Sequence, residues 1–189
     1  MLGAIAGDII GSVYEYNNIK RVEFPLLSEH SHITDNTVMT LAIALAVMNT
    51  MKAPNDEPSE EDFEIAVKNF MRKLAKKNKS IGYGKSFWGW VWAKNPHPYE
   101  SWGNGSAMRV SPIAWAFDDL ERVEKFAEIS ACVTHNSEEG IKGAKAIAGS
   151  VFLARTGRSK EDIREYVTTK YGYDLSRSIY QIRPDYKFN

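Results

Sequence analysis

The sequence predicts an all-α fold, a compact multi-helix bundle forming a single domain over residues 1–189. Apolar residues recur at helical spacing in one stretch after another, and no stretch alternates apolar with polar residues as a half-buried strand would. Helix-start signals stand ahead of several of these runs: Thr34–Asp35, Ser59 with Asp62, and Ser159 with Asp162. There is no internal repeat and no low-complexity tract.

Of 189 residues, 43% are hydrophobic and 25% charged, enough apolar material for one sizeable core. Lys plus Arg number 24 and Asp plus Glu number 24, so no net charge draws the chain to nucleic acid or an anionic membrane, and neither is an expected partner. The single cysteine, Cys132, sits within an apolar helical pattern and reads as a buried structural thiol. One cysteine makes no disulfide framework, which points to a reducing compartment. The opening MLGAIAGDIIGSVYE is apolar, yet Asp8 interrupts it and no Lys or Arg precedes it, so it does not read as a signal peptide. No run is long enough to span a bilayer, and the expected location is the cytoplasm.

The first helix is expected over 2–14, with Leu2, Ile5, Ile9, Ile10 and Val13 on one face and small residues that let another helix approach. Residues 16–33 lack periodicity and read as a long irregular connection, which in a compact domain is usually functional. The second helix follows Thr34, Asp35, Asn36 and Thr37 and is apolar on nearly every side, the mark of a buried helix. Residues 53–59 form a turn-rich linker, and the next helix carries Phe63, Val67, Phe70, Met71 and Leu74 before a basic end at Lys76, Lys77 and Lys79. The aromatic stretch with Tyr83, Phe87, Trp88, Trp90 and Trp92 reads as core or rim packing. A second long connection, 94–105, leads into a fifth helix opened by 103–109 (GNGSAMR). Helices are then expected at 121–134, at 138–155 and after Ser159, followed by a polar, aromatic tail over 174–189.

Four polar clusters lie at helix ends: Asp8 with Glu15, residues 34–37, residues 103–109, and Thr134, His135 and Asn136. Residues 34–37 admit two readings, a helix cap or an oxygen site for a hard cation such as Mg²⁺. Gly103 and Gly105 ahead of a helix leave bare N–H groups open to an anion, although Gly–Asn–Gly is also simply a turn. His135 alone reads as a structural histidine.

Together the clusters resemble the ADP-ribosylglycohydrolase family, which includes the dinitrogenase-reductase-activating glycohydrolases and the ADP-ribosyl hydrolases. The matching pieces are GAIAGDIIGSVYE at 3–15, TDNTVMT at 34–40, GNGSAMR at 103–109 and THNSEEG at 134–140, in the family's order along nearly the whole chain. The resemblance implies the family's all-α bundle and a binuclear Mg²⁺ centre in a cleft. It also implies a hydrolase that removes ADP-ribose from modified protein side chains or related conjugates, with ADP-ribose or an ADP-ribosylated protein as partner.

Carried over by position, Thr34, Asp35 and Asn36 match the first group of metal ligands, and Glu15 matches an acidic residue on a mobile loop near the metals. Glu15 and Asp35 are the implied catalytic pair. Gly103, Asn104, Gly105, Ser106 and Met108 match the loop that holds the diphosphate and distal ribose, and His135 and Asn136 match a second wall of the pocket.

Two departures qualify this. Position 36 is Asn where the family pattern most often has Asp, which lowers the charge available to a metal. Family members also continue into a glycine-rich segment with an Asp-x-Asp-Thr motif, and no such motif occurs here, so the bundle reads as C-terminally incomplete. The expectation is a weak or incomplete Mg²⁺ site and uncovered apolar helix faces that favour a homo-oligomer or a complementing C-terminal chain. Two alternatives follow, an ADP-ribose-binding module without turnover and an inert structural or assembly protein.

Overall fold

The computed structural model describes residues 1–53, 56 and 58–186. Among them the chain forms nine helices and no strand. These are α1 (Leu2–Gly11), α2 (Asp35–Thr50), α3 (Glu60–Lys77), α4 (Lys85–Trp92), α5 (Ile113–Ala116), α6 (Leu120–Cys132), α7 (Glu138–Arg155), α8 (Lys160–Tyr171) and α9 (Ile179–Ile182). One isolated parallel bridge joins Tyr99 to His135. Of the expected turn-rich linker, Pro54, Asn55 and Glu57 lie outside the described residues, as does 187–189 of the tail.

The starts follow side-chain chemistry. Ser59 Oγ accepts from the Asp62 N–H, Asp119 from Arg122, Ser137 from Gly140, and Ser159 with Asp162 closes a reciprocal capping box. Gly172 ends α8 in the left-handed region, φ 70°.

Packing is most extensive between α2 and α3 and between α6 and α7; α3 meets α6, and the short α5 sits among α2, α6 and α7. The core is filled by Met39 and Ile43 of α2, Phe63 and Met71 of α3 and Phe126 of α6. Phe126 stacks on Phe117 at 4.6 Å and meets Phe63 edge-on at 5.1 Å. Such contacts add about 1 kcal/mol each beyond the area they bury. Among the described residues no helix is long and apolar enough to cross a membrane.

Four expectations are corrected. The first helix stops at Gly11, and Asp8 is its one buried residue, while Leu2 is 79% exposed, because among the described helices it is chiefly α2 that packs against it. The second helix is not buried all round: Leu41, Leu45 and Met48 form an exposed stripe, since α3, α1 and α5 cover its other sides. The 103–109 stretch coils through turns, and α5 begins only at Ile113. Cys132 is exposed, being the last residue of α6, where the helix turns its flank outward.

Candidate functional site

The first wall of the site is made where α1 meets α2. Thr34 is the N-cap of α2, so Asp35 and Asn36 open its first turn, where backbone N–H groups lack helical partners. The Asp8 carboxylate, reaching across from α1, satisfies them. Its Oδ2 accepts from Thr34 N–H at 2.8 Å, Thr37 N–H at 3.1 Å and Thr37 Oγ1 at 2.5 Å, and its Oδ1 from Thr34 Oγ1 at 2.5 Å and Asn36 Nδ2 at 3.3 Å. Burial alone would raise the Asp8 pKa, but the bonds from Thr34, Thr37 and Asn36 outweigh it and hold the carboxyl below its ordinary value.

A cavity of about 470 Å³ opens beside this junction, lined by Asp8, Glu15, Thr34, Asp35 and Asn36 on one side and by Asn104 and Met108 on the other. Burial, then the charges of Glu15 and Asp8, pushes the Asp35 carboxyl up to about 6. The charges of Glu15 and Asp8 thus both act against ionisation of Asp35 across one space.

A second cavity of about 280 Å³ adjoins the first, sharing Asp35, Asn104 and Met108 with it. Its other walls are Gly103 and Gly105, the aromatic rings of Phe87 and Tyr99, the start of α4 at Gly84, Lys85 and Ser86, and His135 with Arg109. Gly84 is the N-cap of α4 and supplies no side-chain cap, and with Lys85 and Ser86 it brings the uncapped first turn of α4 to the cavity wall.

His135 is held from behind. The buried Arg109 guanidinium donates to Ser130 O at 2.6 Å, Gly105 O at 3.0 Å and Thr134 Oγ1 at 2.9 Å, and Thr134 Oγ1 lies 2.8 Å from His135 Nδ1. With Arg109 donating into Thr134 Oγ1, the hydroxyl proton goes to Nδ1 in preference to Ala131 O at 3.4 Å. That assigns the ring proton to Nε2, which is buried and makes no close hydrogen bond, the backbone of Gly103 giving the ring only partial support. Burial, then the Arg109 charge, lowers the His135 pKa to about 4, so the ring is neutral at pH 7. Gly140 in the first turn of α7 makes this packing fit, since a Cβ there would lie 2.9 Å from both the His135 ring and the Ser101 carbonyl.

Of the residues singled out in the sequence, Glu15, Thr34 and Asn36 face the first cavity, Gly103, Gly105 and His135 the second, and Asp35, Asn104 and Met108 both. Two are not brought there. Ser106 is buried and donates to Gly140 O at 2.6 Å, which ties the loop to α7, and Asn136 is exposed outside both cavities. Asp8 as the hub, Arg109 as the support of His135, and the α4 start went unread. The reasoning applied to Gly103 and Gly105 holds for Gly82 and Gly84, which do precede a helix.

The family model for ADP-ribosylglycohydrolase matches residues 1–183. The chain belongs to the ADP-ribosylglycohydrolase family. Among curated relatives, ADP-ribosylhydrolase ARH3 of Mus musculus is 29% identical over 194 residues, covering 86% of this chain and 50% of the mouse protein. ARH3 of Homo sapiens is 28% identical with the same coverage, and an uncharacterized protein of Archaeoglobus fulgidus is 42% identical over 64 residues, 33% of this chain and 21% of its own. This member of the family thus spans about half the length of the ARH3 proteins it matches.

Proposed function

We propose that this chain, acting as one domain in the cytoplasm, holds an ADP-ribose conjugate across the two joined cavities and serves Mg²⁺-dependent hydrolysis of the glycosidic bond to a protein side chain. The observation that carries this is the junction itself. Carboxylate, amide and hydroxyl oxygens line one end, N–H donors and aromatic rings line the other, and Asp35, Asn104 and Met108 belong to both.

The donors suit a hard cation in kind: Glu15, Asp35, the Thr34 hydroxyl and the Asn36 amide, all oxygen ligands. Neutralising the repulsion among Asp8, Glu15 and Asp35 would favour it. In number they fall short, since Mg²⁺ takes about six oxygens, and among the described residues no group of three or more His, Cys, Asp or Glu side chains is arranged to hold a metal. Glu15, Thr34, Asp35 and Asn36 would thus hold Mg²⁺ from one side only. When bound there, it supplies Lewis-acid stabilisation to the ribose oxygens beside the scissile bond.

The chain's own groups divide the remaining work. Glu15, at the start of the 16–33 connection, orients and deprotonates the attacking water, and Asp35 stabilises the positive charge that develops at the anomeric carbon. The His135 Nε2–H and the open N–H groups at the start of α4 donate to the diphosphate, while Phe87 and Tyr99 offer faces to the adenine. The exposed stripe of Leu41, Leu45 and Met48, with Leu2 of α1, is where self-association or a complementing chain would find apolar surface.

The incomplete acidic set favours a second reading, ADP-ribose binding without turnover. Calorimetry with ADP-ribose, with and without Mg²⁺, and release of ADP-ribose from serine- and arginine-modified peptides decide between them. Mg²⁺-strengthened binding with release supports hydrolysis; Mg²⁺-independent binding without release supports the binding module. No binding at millimolar ADP-ribose removes both.

A further inference from the structure

A third cavity lies outside this cleft, a groove of about 320 Å³ between residues 18–22 and α9. Its apolar lining is Ile19, Val22, Ile179, Ile182 and Tyr186, of which Val22 is 91% exposed, Ile179 78% and Tyr186 55%. Lys20, Arg21 and Arg183 line it as well, whereas their acidic neighbours in sequence, Glu23 and Asp185, do not. Among the described residues none of these three cations lies within ion-pairing distance of a carboxylate. Lys20 Nζ instead donates to the Arg183 and Pro184 carbonyls at 2.7 and 3.1 Å, which joins the two walls without neutralising the charge. Residues 18–22 are neither helix nor strand, and among the described residues their backbone N–H and C=O groups make no hydrogen bond. Asn18 is three residues from Glu15 of the cleft, a span of no more than about 11 Å of chain.

Uncompensated cations, exposed apolar side chains and open backbone groups together match one kind of occupant, a polypeptide segment carrying acidic and aliphatic side chains. We infer that this groove receives an acidic, apolar segment of the protein that bears the ADP-ribose, so that the chain reads the polypeptide around the modified residue as well as the nucleotide. The inference rests on the hydrolase reading of the cleft. It concerns a different surface, however, and the two can fail separately.

The test measures fluorescence anisotropy of a labelled, unmodified peptide that alternates aspartate with leucine, against the same peptide with lysine for aspartate. Phosphatidylserine vesicles form a third arm, and calorimetry with ADP-ribose reads the cleft. The acidic peptide should bind about tenfold tighter than the lysine peptide, less so as salt rises. The double variant Arg21→Glu/Arg183→Glu, at two exposed positions, should reverse that preference and leave ADP-ribose affinity unchanged. Equal binding of the two peptides to the unaltered chain overturns the inference without needing any variant to fold, and so does binding of vesicles with no binding of peptide. A peptide preference that survives charge reversal overturns it too. Peptide binding without ADP-ribose binding would instead sink the reading of the cleft and leave the groove standing.

Discussion

Asp8 is the residue on which the candidate site turns, because one buried carboxylate answers five donors from the start of α2. Asn in its place would turn an N–H toward groups that are themselves donors, leaving buried polar atoms unpaired. Bonds to charged acceptors contribute about 1.5–3 kcal/mol each and act here as a network. Asp8→Asn should therefore lower unfolding stability by roughly 2–4 kcal/mol, read from urea denaturation, and a loss under about 1 kcal/mol would show the network to be dispensable. Asp8 was visible in the sequence as a charge in an apolar helix, but its partners lie 26 to 29 positions away, and no local pattern reports such a distance.

His135 yields a dependence on pH. Its pKa is about 4 in the folded chain against an ordinary value of 6.5, so between those limits the unfolded chain binds a proton that the folded chain refuses. Its contribution is complete above pH 6.5 and is lost progressively as pH falls toward 4. At pH 4.5 the loss should approach about 2–3 kcal/mol, and it should be absent from His135→Gln compared across the same pH range. Equal acid sensitivity of the two proteins would show that another group governs it.

At the scale of helices, what the sequence disclosed was whatever chemistry keeps within a few residues. Ser59 with Asp62 and Ser159 with Asp162 cap α3 and α8 as their spacing foretold. Glu15, Asp35 and Gly103 were recognisable because each belongs to a short motif. The 103–109 stretch misled because glycine ahead of apolar residues fits a turn as well as a helix start, and only the packing of Ser106 against Gly140 and of Arg109 against Ser130 settles which. The exposure of Cys132 and of the α2 stripe depends on which neighbours arrive, which periodicity does not encode.

The α6–α8 seam is a similar case. Glu124 of α6, buried, accepts from Tyr166 Oη at 2.6 Å, Tyr171 Oη at 3.0 Å and Lys170 Nζ at 2.6 Å. Gly149 of α7 lies beneath them, and a Cβ there would come within 1.8 Å of Tyr166 Oη. Gly→Ala inside a helix ordinarily stabilises by about 1 kcal/mol. Gly149→Ala should instead destabilise by roughly 2–4 kcal/mol, because Tyr166 must leave Glu124 to make room. Thermal unfolding reads the sign directly, and a raised melting temperature would refute the account of this seam.

For the chain as a whole, the charge gathered at the cleft should govern how stability responds to a cation. Asp8, Glu15 and Asp35 crowd one space, and Asn36 moderates them by donating to Asp8 Oδ1 at 3.3 Å and to Thr34 Oγ1 at 3.2 Å. Asn36→Asp removes both donors and adds a fourth carboxylate. With chelator present, stability should fall by about 1–2 kcal/mol, a few degrees in melting temperature for a chain of this size. A cation reverses the balance, since it binds the folded chain and stabilises it by about 2.7 kcal/mol at a hundredfold excess over its dissociation constant. The Asn36→Asp melting temperature should therefore start lower than the parent's and rise more steeply with Mg²⁺, with Ca²⁺ as the control for mere charge screening. If Mg²⁺ raises both proteins equally, or neither, then Glu15, Thr34, Asp35 and position 36 do not form a cation site, and the proposed role of the cleft rests on its His135 end alone.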